Sequence, residues 1–142
     1  MNSNQAKHAV TANDGPETNT DMSEPQRSEK YLLGEKMVVE FLGKPYQLGK
    51  SNIFSETLRE YTFEHTLSSY ARPGLTFRER NLLNIALFIA TNREHELRIN
   101  LQSTEHNGLS KEDTAEAIRH CMLYTGMAAG RDAFLVASEL LG

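Results

Sequence analysis

Residues 51–70 place apolar side chains at helical spacing on two faces at once. Phe54, Leu58 and Tyr61 form one stripe, and Phe63, Leu67 and Tyr70 form a second. A helix with two apolar stripes must be covered on two sides, by its own domain or by another subunit. This element constrains the chain to packed helices with more apolar surface than one small core covers, and it implies self-association.

The remaining pattern is helical as well. Leu32, Met37, Val38 and Phe41 mark a helix over 27–42, stopped by "GKP". "ARPGL" breaks the chain at Pro73 and Gly74, and Pro73 biases Arg72 away from helix. Thr76 with Glu79 forms a capping box for a helix over 77–91, with "LLNIALFIA" as its core. The segment "REHELRINLQSTEHNG", 93–108, reads as a helix ending at Asn107 and Gly108. Ser110 and Asp113 cap a helix over 111–125. Gly126 separates it from a last helix over 128–141 that buries Ala133, Phe134, Val136, Ala137 and Leu140. No β-alternation is visible, so the expectation is all-α, with about six helices and short connections.

Composition sets the outer bounds. Residues 1–26 are rich in Asn, Thr, Ser, Asp, Glu and Pro and are expected to form a disordered N-terminal tail, leaving one domain over 27–142. The net charge is −4, with no basic stripe for nucleic acid. The longest apolar run, 82–90, is too short for a membrane span and contains Asn84. The N-terminus lacks the apolar core of a signal peptide, and Cys121 is the single cysteine, so a reducing, cytoplasmic location is expected.

Several polar residues are candidates for chemistry. On the 93–108 helix, Glu96, Asn100 and Ser103 share one face, while His95, Ile99, Gln102 and His106 share another. Such a helix can be a solvated surface or the polar wall of a pocket, and its position between two apolar neighbours favours the wall. His65 continues the Phe54–Leu58–Tyr61 stripe with Ser68 a turn further on, which suits either a core histidine or a catalytic one. His120 on a polar helix face and His106 near a helix C-terminus need no function. Metal ligation is not expected, since there is neither an HExxH pattern nor a Cys/His ladder. Cys121 shares a face with Ile118 and Met122 and reads as an inert, small apolar residue.

Over about residues 27–142, and most strongly from Tyr70 to Phe134, the chain resembles the carboxymuconolactone decarboxylase family. The "RPGL" turn, the "EHEL" helix, "NGLSKED" and "YTGMAAGRDAF" fall in that family's order and spacing. The resemblance implies an AhpD-like helical bundle that assembles through helical faces and needs no cofactor. The peroxidase-linked branch uses a CxxC motif; Arg93 and Glu96 stand at the matching positions, so redox cycling is not expected. The decarboxylase branch removes a carboxylate from a small unsaturated lactone, which requires donors at the carbonyl oxygen and an acid to reprotonate carbon. Here the chain departs from the pattern. Asn100 replaces the histidine one turn after Glu96, and Ser68 replaces an acid before the "RPGL" turn.

The resulting expectation is a cofactor-free enzyme that decarboxylates or isomerises a small unsaturated acid or lactone, other than the standard catabolic one. Asn100 would bind the oxyanion and His65 or His95 would transfer a proton. Glu96 would orient one of them, Ser68 would contact substrate, and Arg72 or Arg80 would hold a carboxylate. The alternative is a binding or scaffolding member that has lost the chemistry; a lone redox role for Cys121 lacks a partner thiol. The two-stripe helix predicts a trimer or hexamer with residues 51–70 at a subunit contact. Light scattering at micromolar concentration should give one of these masses, and a monomer would contradict it.

Overall fold

Ser28 starts the first helix, its hydroxyl accepting the Tyr31 backbone N–H. Helix α1 runs Glu29–Leu42 and ends where Gly43, at φ 72°, turns the chain into the left-handed region. The structure is a computed structural model that describes residues 26–142, so the expected tail lies outside the described residues except for Gln26. Five further α-helices follow: α2 (Ile53–Tyr61), α3 (Phe77–Ala90), α4 (Glu94–Gln102), α5 (Lys111–Thr125) and α6 (Met127–Leu141). Among the described residues there are no strands, and the all-α expectation holds. None of these helices is long and apolar enough to cross a membrane.

The segment expected as one helix over 51–70 changes pitch twice. Asn52 and Ser55 form a capping box that opens α2. After Tyr61 the chain widens into a π turn, Thr62–Thr66, and then tightens into a 3-10 turn, Leu67–Ala71. The wide turn brings the Phe63 carbonyl against Gly34 of α1, where any side chain would collide with it. Phe63 is 2% exposed there, and its ring meets Tyr31 edge-on at 5.2 Å. The other stripe stays outside: Phe54 is 83%, Leu58 52% and Tyr61 63% exposed in the single chain.

Helices α3 and α5 begin as the capping signals indicate, with Thr76–Glu79 and Ser110–Asp113 boxes complete on both sides. Helix α4 stops earlier than the spacing suggests, at Gln102 rather than Asn107. The Ser103 and Thr104 hydroxyls donate to the carbonyls of Asn100 and Leu101, competing with helical pairing, and the chain turns through to Gly108. Those turns have a structural use. His106 Nε2 donates to the Glu40 carbonyl at 2.7 Å and Asn107 Nδ2 to that of Phe41 at 3.0 Å, satisfying the end of α1.

Two apolar clusters result. One joins α3–α6 through Ile85, Ile89, Leu97, Leu101, Ile118 and Val136. The other joins α1 to the 62–71 turns through Tyr31, Val38, Phe41, Leu42, Phe63 and Leu67. Arg98 forks onto Glu139 with bonds of 2.9 and 2.8 Å, tying α4 to α6 at the surface.

Gly34 decides how closely the second cluster packs. Alanine there gains about 1 kcal/mol of helix propensity, but a methyl driven this far into backbone costs about 2–3 kcal/mol, the upper part of the overpacking range, and the Phe63 carbonyl cannot retreat without moving the π turn. Gly34→Ala should therefore lower the urea midpoint, with a net loss on the order of 1–2 kcal/mol. A midpoint equal to or above the parent's would contradict the close approach.

Candidate active site

Where the two clusters meet, a cavity of about 170 Å³ opens to the surface. Val38, Phe41 and Leu42 of α1 line one side and Thr62, Thr66, Leu67 and Tyr70 another. Asn84 and Phe88 of α3, with Glu96, Ile99 and Asn100 of α4, close it, and Tyr46 comes from the loop after α1. A cavity of about 150 Å³ accepts benzene, so this one holds a single small ring.

Its polar groups are ordered by one amide. Asn84 Nδ2 donates to Tyr70 Oη at 2.9 Å and to Asn100 Oδ1 at 3.0 Å, using both of its N–H groups. Asn100 is 7% exposed and donates one N–H back to the Glu96 carbonyl at 2.9 Å. Its second N–H and the Tyr70 hydroxyl proton have no acceptor among the described residues. Both groups border the cavity, which gives it two hydrogen-bond donors. The Glu96 side chain is exposed and has no hydrogen bond or ion pair among the described residues, and its residue forms part of the cavity wall. Burial pushes the Tyr46 phenol up, and the negative charge of Glu96 adds to that shift, so Tyr46 keeps its proton.

Of the residues singled out from sequence, Glu96 and Asn100 come together in this wall. The others lie outside it. His65 is exposed, its ring 5.0 Å from that of Tyr61, and His95 is exposed near the start of α4. Ser68 Oγ donates to the Glu64 carbonyl at 2.7 Å, as a helical serine does. Arg72 is exposed, and its carbonyl accepts from Arg80 Nη2 at 2.9 Å. Arg80 stands over the Tyr70 ring, 5.2 Å from its centroid, with a buried Nε that has no partner.

Sequence reasoning missed Tyr46, Asn84 and the site role of Tyr70. Asn84 had a signal: an amide inside "LLNIALFIA", where the helical period leads into the core, needs a buried partner. Asn81, three residues earlier, is fully buried and donates to Ser103 Oγ at 2.9 Å, so α3 presents one amide to α4 and one to the residue that caps it. Cys121 is buried, which pushes its thiol up and away from reactivity. Among the described residues no three His, Cys, Asp or Glu side chains are grouped to share a metal ion.

Comparison with known proteins agrees with the resemblance read from the sequence. The family model described as "Carboxymuconolactone decarboxylase family" matches residues 56–139. The 4-carboxymuconolactone decarboxylase of Acinetobacter baylyi is 32% identical over 116 residues, which cover 79% of this chain and 87% of that protein. No solved structure matches the chain significantly. A family match over more than half the chain, with a relative aligned along most of both sequences, settles the lineage: the chain belongs to the carboxymuconolactone decarboxylase family.

Proposed function

We propose that the chain is a cofactor-free enzyme of the decarboxylase type, moving a proton at carbon in a small unsaturated acid or lactone. One observation carries this reading. Asn84 turns Asn100 and Tyr70 into a pair of donors on a ring-sized apolar cavity, beside the unpaired carboxylate of Glu96.

Loss of CO2 from such a compound, or loss of a C–H proton beside its carbonyl, sends an electron pair to the carbonyl oxygen. Donors held in place before the reaction stabilise that oxyanion more than water does, since they need no reorganisation. The Asn100 amide and the Tyr70 hydroxyl fill this role. A neutral amide does not relay protons near neutral pH, so the proton step falls to another group. Glu96 is the ionisable group of the wall with its proton-accepting oxygens unoccupied, and we assign the transfer to it. His65 and His95 lie outside the wall and carry no step in this reading.

The relative's printed activity supports loss of CO2, while Asn100 in place of the family's histidine supports a different substrate. The exposed stripe of Phe54, Leu58 and Tyr61 supports assembly of several copies, in line with the expected trimer or hexamer.

The test is a panel of small unsaturated lactones, with and without carboxylates, run in D2O. CO2 release and deuterium at carbon are both followed. At least one compound should be turned over with deuterium uptake. Asn100→Ala should lower that turnover roughly 100-fold or more, and Glu96→Gln roughly 100- to 10,000-fold. Asn100→Ala also leaves the Asn84 amide short of a partner and should cost about 1–3 kcal/mol of stability. Its circular dichroism should still match the parent's at 25 °C. A turnover that neither substitution changes would remove this cavity from the chemistry.

A further inference from the structure

The charge of the cavity narrows the substrate class beyond the reading above, on which this inference rests. Thirteen residues line the cavity, and none is Lys, Arg or His; Glu96 is the charged one. The arginines that sequence suggested as carboxylate holders lie elsewhere. Arg72 is exposed, and Arg80 packs over the Tyr70 ring without lining the cavity. A ligand carboxylate placed here would meet hydrocarbon from Val38, Phe41, Leu42, Leu67 and Phe88 and face a like charge, with no cation in the wall to offset either. Two uncharged donors suffice for a carbonyl oxygen that becomes anionic only during reaction, whereas a permanent anion beside the Glu96 carboxylate has no cation to offset the repulsion.

We propose that the cavity takes an uncharged, single-ring unsaturated carbonyl compound, a lactone or cyclic enone without a free carboxylate, and shifts its double bond. The Glu96 carboxylate removes a proton from the carbon between the carbonyl and a β,γ double bond. The C–H pair forms a double bond between the α carbon and the carbonyl carbon, and the carbonyl π pair moves onto oxygen to give a dienolate. That oxygen accepts hydrogen bonds from Tyr70 and Asn100. The exposed Glu96 acid exchanges its proton with solvent and delivers one to the γ carbon: the β,γ pair takes it, the enolate pair becomes the α,β double bond, the oxygen pair re-forms the carbonyl, and the conjugated isomer leaves. Glu96 ends as it began, nothing is oxidised or reduced, and no CO2 is released. The steps need a carboxylate base and an oxyanion site within one small cavity, and the residues around this one provide both.

The experiment compares two probes with one skeleton: a methyl-substituted β,γ-unsaturated γ-lactone, and the same ring carrying a carboxymethyl group. Ultraviolet absorbance follows conjugation, and NMR in D2O follows deuterium uptake at the γ carbon. The uncharged lactone should isomerise with a kcat/KM at least tenfold above that of the carboxymethyl ring. Glu96→Gln should lower the isomerisation roughly 100- to 10,000-fold. Thr66→Arg, which adds a cation at a position in the wall, should move the preference toward the carboxymethyl ring by tenfold or more. A parent enzyme that prefers the carboxymethyl ring overturns the charge argument and leaves the proton-transfer site standing. If neither probe is turned over and only CO2 release from a carboxylated lactone is seen, the isomerase assignment falls and the decarboxylase reading survives. Failure of every compound overturns both.

Discussion

Asn84 holds the site together through one planar amide. Its nitrogen stands within 2.9 Å of Tyr70 Oη and 3.0 Å of Asn100 Oδ1, so three segments of chain meet at a single side chain. Asn84 is half-buried, and its two bonds tie α3 to α4 and to the 67–71 turn. The same bonds decide which way the Asn100 amide faces. With its oxygen occupied by Asn84 and one N–H on the Glu96 carbonyl, the group it has left to offer is a donor. Fold and chemistry share this constraint.

The cavity exists because two apolar clusters meet without fusing. Gly34 lets the π turn settle on α1, which brings Thr62, Thr66 and Leu67 to one side of the gap. His106 and Asn107 hold the last carbonyls of α1 from beyond α4, which keeps Phe41 and Leu42 in place on the opposite side. These supports are backbone contacts and caps on rigid elements, so the donors are positioned before any ligand arrives. Preorganisation of this kind is what gives uncharged donors their catalytic value.

Much of the fold is legible in the sequence because its signals are local. Thr76 and Glu79, or Ser110 and Asp113, make their bonds within three residues, and their spacing alone marks the helix starts. The π turn at 62–66 was not legible, since it depends on Gly34, some thirty residues away in sequence. The end of α4 was misplaced for a similar reason: Ser103, Thr104 and Asn107 are neutral in a periodicity count, and their bonds decide the matter. Within the site, Glu96 and Asn100 were found by helical spacing combined with the family resemblance. The positions of His65 and His95 depend on where each helix faces, which a stripe of apolar neighbours did not reveal. Phe54, Leu58 and Tyr61 are themselves exposed in the single chain, so the stripe that carries His65 leads to the surface rather than the core.

The central claim is that Tyr70 and Asn100 together receive an oxyanion inside this cavity. A small phenol imitates the planar dienolate, its oxygen standing for the carbonyl oxygen at the moment of charge development. A crystal structure of the protein soaked with such a phenol tests the claim most directly. The ring should lie between Phe41, Leu67 and Phe88, with its oxygen about 2.7–3.1 Å from both Tyr70 Oη and Asn100 Nδ2. A phenol bound in the cavity with its oxygen turned away from both groups, or bound only outside the cavity, would contradict it.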